Sequence, residues 1–322
     1  MGAERGFLPG TLWPLLQRRR REALASGALR PIETAQEWVE DGGVRFLIRV
    51  VSNLARKDAD RVRQVEQNPA GGPPRNPFLP YEPALFVAGI SETHLALLNK
   101  FNVIDHHLLI VTRRFVDQET LLDLADFQAL CLCLAEYEGL GFYNGGAAAG
   151  ASQPHKHLQL VPFPLVESVP TIPIEPLLRT ASRVVKVGTV PGLPFRHVFA
   201  FLDPGLASRP ILFAEILYER YQAALRVAGI EALRVDGEIR QSLPYNLLVT
   251  RDWLLLIPRH REDFEGISVN ALGFAGSLFV KDQEQLAVLR RWGPLAVLRA
   301  VTRSDPTTAG DTASDLSEHE LL

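Results

Sequence analysis

Apolar and polar positions divide this chain into short periodic stretches separated by proline- and glycine-rich breaks. Leu12-Trp13-Pro14-Leu15-Leu16 runs into Arg18-Arg19-Arg20-Arg21 and then Glu22-Ala23-Leu24-Ala25. That order predicts an N-terminal helix with a solvated basic face. Residues 44–51 alternate as a strand does. Residues 68–80, with five prolines and two glycines, predict a loop over the surface. Strands are expected over residues 84–87, 93–98 and 107–112, and a helix over about 119–139. Beyond Pro162 the prolines at 164, 170, 173 and 176 predict a stiff irregular connection. A helix over about 210–228 follows, then two strands, 245–250 and 253–258, around a tight turn at Arg251-Asp252. A last helix is expected over about 282–301, and residues 304–322 form a polar, acidic tail expected to be mobile.

This succession reads as an α+β fold in two halves, residues 1–165 and 166–303, followed by the tail. His107-Leu-Leu-Ile-Val-Thr-Arg113 and Trp253-Leu-Leu-Leu-Ile-Pro-Arg259 are similar strings, which suggests that one half duplicates the other.

At 322 residues the chain can bury roughly 70–75% of its unfolded surface, and 47% hydrophobic content excludes a disordered protein. No apolar run reaches the ~18 residues that span a bilayer, and no signal-peptide segment opens the chain. Two cysteines make no disulfide framework, so a cytoplasmic location is the default expectation. A net charge of −3 argues against broad nucleic-acid binding, with Arg18-Arg21 as the local exception.

Chemistry concentrates in Gly150-Ala151-Ser152-Gln153-Pro154-His155-Lys156-His157-Leu158-Gln159. On a strand, His155, His157 and Gln159 share one face while Lys156 and Leu158 share the other. The preceding turn, residues 144–152, carries almost no side-chain bulk, so its backbone N–H groups can approach a phosphate. Ser152 and Gln153 add polar donors at its exit. A neutral imidazole, with an ordinary pKa of ~6.5, can attack phosphorus while a carbonyl holds its second nitrogen. Histidine as a covalent nucleophile is the natural reading.

Two plainer readings stand beside it. His-x-His can be a surface feature or a pair of metal ligands. Zinc needs three or four ligands, and Cys131 and Cys133, two apart in an apolar helical stretch, would face different ways. A nucleotide-binding protein without catalysis is the other alternative, although binding alone does not need an in-line nucleophile. His106 and His107 read as strand-edge and packing residues, and His94, His197, His260 and His319 have no recognisable chemical neighbours.

The segment resembles the active-site strand of the diadenosine tetraphosphate phosphorylases, or ATP adenylyltransferases, a transferase branch of the histidine-triad superfamily. Asn76-Pro-Phe-Leu-Pro-Tyr81, Leu97-Leu-Asn-Lys-Phe-Asn102, His107-Leu-Leu-Ile-Val-Thr112, Phe142-Tyr-Asn144, Tyr245-Asn-Leu-Leu-Val-Thr250 and Asn270-Ala-Leu-Gly-Phe-Ala-Gly276 resemble that family's segments in the same order, over about residues 45–300. The resemblance implies a histidine-triad-like antiparallel sheet with flanking helices. Gln159 stands where hydrolase relatives carry a third histidine. A glutamine can donate a hydrogen bond to phosphoryl oxygens without delivering a proton.

What the resemblance implies is reversible phosphorolysis of diadenosine tetraphosphate to ATP and ADP through adenylylated His157, with His155 as the supporting histidine. Hexose-1-phosphate uridylyltransferases share His-x-His-x-Gln and are the alternative. By the same resemblance Lys57 meets the polyphosphate, Asn99 and Lys100 lie at the ribose-contacting pair, and Asn144 holds the phosphate loop with Gly150 and Ala151. Asn270, Ala271, Leu272, Ser277 and Lys281 line the second nucleotide's site. Ser277 replaces a frequent methionine, which leaves the packing of the distal adenosine open. A divalent cation, magnesium, is expected on the substrate polyphosphate and not in a protein cage, with no organic cofactor. The expected partners are diadenosine tetraphosphate, ATP, ADP and phosphate, not nucleic acid or membrane, with the protein a monomer or small homo-oligomer.

Overall fold

Alternation in the first half and apolar runs in the second meet in one sheet. In the computed structural model, residues 6–51, 76–166, 171–182 and 186–302 are described. Lys57, His319 and the tail lie outside them. Helix α1 (Leu12–Ala25) precedes a hairpin, β1 (Thr34–Asp41) and β2 (Val44–Val51), turned by Gly42 and Gly43 at positive φ. Then come β3 (Phe86–Gly89), β4 (His94–Leu98), β5 (Leu108–Thr112), α2 (Leu124–Leu134), β6 (Gly139–Gly145) and β7 (His157–Pro162). The second half holds α3 (Glu175–Leu178), β8 (Val198–Phe201), α4 (Pro210–Ala228), β9 (Ala232–Val235), β10 (Glu238–Gln241), β11 (Tyr245–Val249) and β12 (Trp253–Pro258). Two short strands, β13 (Asp263–Phe264) and β14 (Ile267–Ser268), lead to α5 (Ala271–Phe274), β15 (Ser277–Val280), α6 (Gln283–Trp292) and α7 (Pro294–Val301).

Eight strands in the order β3-β4-β5-β7-β6-β11-β12-β8 form the main antiparallel sheet. One face buries Ile110, Leu158, Leu160, Leu247 and Leu254 against Phe127 and Leu130 of α2 and Phe213 and Leu217 of α4. The opposite face is covered in two places. Phe142, Leu248 and Leu255 pack with Phe46, Ile48, Phe274 and Leu298, while Leu95, Leu97, Leu109 and Val111 pack around Phe78. Between these two apolar clusters lies the face of β7 that carries His157 and Gln159. A second sheet, β1-β2-β15, sets β15 parallel to β2 with Ser277 opposite Leu47.

Several expectations move. The long last helix is two, because Gly293, at φ +81° and ψ 144°, leaves helical geometry and Pro294 starts a new first turn. The helix expected over 119–139 is α2 alone, started by a capping box of Asp123 and Asp126. Residues 83–85 form a 3-10 turn, so β3 begins at Phe86. Strand β6, rich in glycine, was not anticipated. A Cβ on Gly141 would lie 2.7 Å from Leu130 Cδ1, so glycine there lets α2 approach the sheet. The end of the proline-rich loop also turns inward, burying Phe78. The similar strings occupy β5 and β12, third and second from the β6–β11 junction, so they are not equivalent about it.

The junction itself is polar and closed. In the β6–β11 register Asn144 faces Asn246, and Asn246 Nδ2 donates to Asn144 Oδ1 at 2.9 Å and to Ala149 O at 2.8 Å. The fully buried Arg259 guanidinium donates to Asn246 Oδ1 (2.6 Å), Val269 O (2.8 Å), Arg261 O (2.8 Å), Glu262 O (3.0 Å) and Val301 O (3.2 Å). Five acceptors from β11, β12's exit, the α5 approach and the end of α7 therefore share one cation. Arg259→Met is expected to leave Asn246 Oδ1 and Val269 O buried without a donor, whereas Glu262 O and Val301 O keep Val269 N and His260 N, and to cost about 3–5 kcal/mol, read as a lower urea midpoint. Arg259→Lys should recover only part, because an ammonium cannot fork to them all.

Candidate active site

Strand β7 and the residues leading into it place two imidazoles under the ring of Phe78, whose centroid is 5.5 Å from that of His155 and 5.3 Å from that of His157. Asn76 is oriented by the Phe78 amide, which donates to its Oδ1 at 2.9 Å. Its Nδ2 then donates to His155 Nδ1 at 3.0 Å. The other His155 nitrogen, Nε2, lies 3.0 Å from Thr112 O and 3.1 Å from Arg114 O, so it carries the proton and donates. His155 is thus occupied at both ring nitrogens. Its backbone carbonyl accepts from His157 Nδ1 at 2.8 Å, which places the His157 proton on Nδ1 and the free lone pair on Nε2. Burial pushes His157 down to about 4, so the ring is neutral at pH 7.

Gln118, which sequence reasoning missed, locks this arrangement. Its Oε1 accepts from His157 N at 2.9 Å, and its Nε2 donates to Asn144 O at 2.8 Å, joining β7 to the end of β6. Gln159 lies opposite Leu109 in the β5–β7 register, so His107, two residues earlier, reaches the same face. His107 Nε2 is 2.9 Å from Gln159 Oε1, and Asn99 Nδ2 is 3.2 Å from His107 Nδ1. His107 was expected only to pack; it does contact the Phe142 ring, but it also enters the polar site. The diagonal between His107 and Gln159 was readable only once strand register was known.

The loop after β6 narrows the expected cradle. Ala149, Gly150 and Ala151 amides donate to Gly146 O, Ala147 O and Gly146 O, inside the loop. Its exit, Ser152 and Gln153, makes no hydrogen bond among the described residues; Ser152 is exposed and Gln153 half-buried. Gly150 sits at φ +84°, and a Cβ there would lie 2.8 Å from Val269 O, so only glycine fits. Asn144 Oδ1 also accepts from Ala271 N at 2.9 Å, and Asn270 caps α5 by accepting from Leu272 N. The structure therefore brings Asn144, Gly150, Asn270, Ala271 and Leu272 together. Asn246 and Arg259, which hold this cluster, were missed as site residues. Their signal was an asparagine and an arginine bounding otherwise apolar strands.

Behind the histidine strand, Lys156 points to the helix-covered face. Its Nζ donates to Asp126 Oδ2 at 2.6 Å and to Leu121 O at 3.0 Å, while His94 Nε2 lies 3.0 Å from Asp126 Oδ1. Asp126 is held near 2 although burial alone would raise it, because Lys156 and His94 oppose that effect. His94, with no evident neighbour in the sequence, belongs to this buried cluster. Lys100 Nζ contacts Glu82 at 2.9 Å. Ser277 is buried in the smaller sheet with its hydroxyl unpaired, and Lys281 is exposed beyond β15. No hydrogen bond among the described residues joins either one to the histidines or the loop.

The basic run lies on α1, with Arg19 3.1 Å from Glu22 and Arg20 2.8 Å from Asp105. Among the described residues no helix is long and apolar enough to cross a membrane, and no three or more His, Cys, Asp or Glu gather as a metal site.

The family model for the Ap4A phosphorylase N-terminal domain matches residues 3–180, and that for the ATP adenylyltransferase C-terminal domain matches residues 191–304. Protein APA1 of Saccharomyces cerevisiae is 26% identical over 304 residues, spanning 86% of this chain and 89% of its own length. Diadenosine 5',5'''-P1,P4-tetraphosphate phosphorylase 2 of the same yeast is 28% identical over 249 residues, spanning 68% and 72%. In fold, the chain is similar to the crystal structure of yeast Ap4A phosphorylase Apa2 in complex with Ap4A, with a TM-score of 0.72 at 20% identity over 94% of this chain and 98% of that one. The complex with AMP gives 0.71 at 22% identity over 95% and 100%.

His107 and His157 are both held to about 4 by burial, below the ~6.5 of an unfolded histidine. Between those values the unfolded chain binds more protons than the folded one, so stability rises with pH there and is lost as pH falls from about 6.5 toward about 4. Urea midpoints measured across that window should show this slope, and His107→Phe should reduce it.

Proposed function

The chain belongs to the Ap4A phosphorylase family of nucleotidyltransferases, and we propose the route by which it splits Ap4A with phosphate into ADP and ATP. His157 Nε2 attacks the α-phosphorus of diadenosine tetraphosphate. An N–P bond forms and the bond from that phosphorus to the bridging oxygen breaks, so ATP leaves with the oxygen and its electron pair. An oxygen of inorganic phosphate then attacks the same phosphorus, the N–P bond breaks, and ADP leaves with His157 restored. Run backwards, the same steps make diadenosine tetraphosphate from ATP and ADP.

One observation carries this route: the 2.8 Å bond from His157 Nδ1 to the His155 carbonyl. It presents Nε2 as the nucleophile before substrate arrives. Once Nε2 is phosphorylated, the ring is cationic and the same carbonyl faces its remaining N–H, favouring the charged intermediate. His155 supports through its backbone, since its own ring nitrogens are engaged. Gln159 donates to the phosphoryl oxygens and delivers no proton, which suits a polyphosphate leaving group. Ser152 and Gln153 supply the open end of the phosphate loop. Asn99 and Lys100 lie on the nucleoside side, and Asn270, Ala271 and Leu272 back the loop toward the second nucleotide. Lys57 is assigned to the polyphosphate, and Ser277 and Lys281 to that second nucleotide, by resemblance alone. Magnesium enters as a companion of the polyphosphate, which it ordinarily binds.

With magnesium and diadenosine tetraphosphate, ATP and ADP should appear only when phosphate is added; ATP and AMP without phosphate would mean hydrolysis and overturn the route. His157→Ala should lower turnover by on the order of 10⁴-fold or more and abolish the adenylyl-enzyme seen by mass spectrometry. Because His157 stays neutral until about pH 4, single-turnover adenylylation by diadenosine tetraphosphate should be flat from about pH 6.5 down to about 5. A loss of rate centred near the ordinary histidine value would contradict a buried neutral nucleophile.

A further inference from the structure

Glutamine 159 can serve the reaction in one orientation only. With its amide nitrogen toward the phosphate it donates; turned over, it presents lone pairs to anionic oxygens and repels them. Nothing in Gln159 itself selects between the two. We propose that His107 is a positioning residue that fixes the Gln159 amide with its N–H groups toward the reacting phosphate.

The assignment follows from one group whose role is unambiguous. Phe101 N is a backbone donor and lies 3.3 Å from Asn99 Oδ1, so the oxygen of that amide is where it is drawn. Asn99 Nδ2 therefore faces His107, and donates to its Nδ1 at 3.2 Å. A neutral imidazole accepting at Nδ1 carries its proton on Nε2, which must donate to Gln159 at 2.9 Å. The atom of Gln159 that receives it is Oε1, leaving the amide nitrogen for the site. Three successive donations, from Phe101 to Asn99, Asn99 to His107 and His107 to Gln159, all run one way. Burial supports the chain, since both His107 and Gln159 are less than one tenth exposed and burial keeps His107 neutral. The relay begins at Phe101 N and passes through Asn99, so the turn on the nucleoside side sets the donor on the phosphate side.

This inference rests on the adenylyl-His157 route. The experiment is rapid-quench measurement of adenylylation by diadenosine tetraphosphate in the wild type, His107→Phe, His107→Gln, Gln159→Ala and the double variant His107→Phe with Gln159→Ala. Loss of one oriented donor should slow adenylylation by about 10²–10³-fold. His107→Phe should approach Gln159→Ala with KM changed little, and the double variant should be no slower than Gln159→Ala. His107→Gln, which can accept from Asn99 and donate to Gln159, should recover most of the rate. Wild-type adenylylation in folded His107→Phe, or independent losses that multiply in the double variant, would overturn the assignment while leaving the route intact. Should His107→Phe fail to fold, a rate for His107→Gln no better than Gln159→Ala overturns it instead. Absence of adenylyl-His157 in the wild type would overturn both.

Discussion

The contact on which the site depends is the amide pair across the β6–β11 junction, Asn144 with Asn246, and the guanidinium of Arg259 behind it. Buried amides and a buried cation are tolerable only when every donor and acceptor is met, so this network admits few alternative arrangements. It holds the Ala149 carbonyl on Asn246 Nδ2 and sets the Gly150 backbone against Val269 and Asn270. The phosphate loop belongs to the first half of the chain, yet its floor comes from the second. Neither half alone would hold the loop in this form.

Backbone groups also decide the protonation pattern. Phe78 N orients Asn76, the His155 carbonyl orients His157, and Phe101 N orients Asn99. Each main-chain group has a fixed donor or acceptor role, so each removes an ambiguity from the side chain it meets. Two histidines with similar burial then take opposite tautomers. His157 carries its proton on Nδ1 and offers Nε2, whereas His107 accepts at Nδ1 and donates from Nε2. Sequence separates them only by position, and main-chain geometry gives them different work.

Much of this was legible beforehand. Alternation placed His155, His157 and Gln159 on one face because that rule is local, and the apolar runs of β5, β11 and β12 were found for the same reason. Glycine-rich β6 was not found, since its glycines answer to close neighbours, Gly141 to Leu130 of α2, Gly139 to Val161 and Gly145 to Gln241, and not to strand propensity. The last helix was drawn too long despite Gly293-Pro294, because periodic leucines on either side masked the break. Contacts set by register between distant segments, such as His107 with Gln159 or Arg259 with Asn246, lie beyond any window of sequence. Family resemblance supplied Asn144 and Asn270, but Arg259 emerges only from counting buried acceptors.

Asp126 holds two positions at once: it closes the capping box at the start of α2 and it neutralises Lys156 behind the histidine strand. Helix ends ordinarily fray with little penalty. Here, fraying the first turn of α2 would strand an ammonium in the interior, which a protein avoids. The opening of that turn and the loosening of the strand beneath the nucleophile are consequently one cooperative event. Amide protons of the α2 N-terminus thus report, by their exchange with solvent, how often the nucleophile's own support lets go.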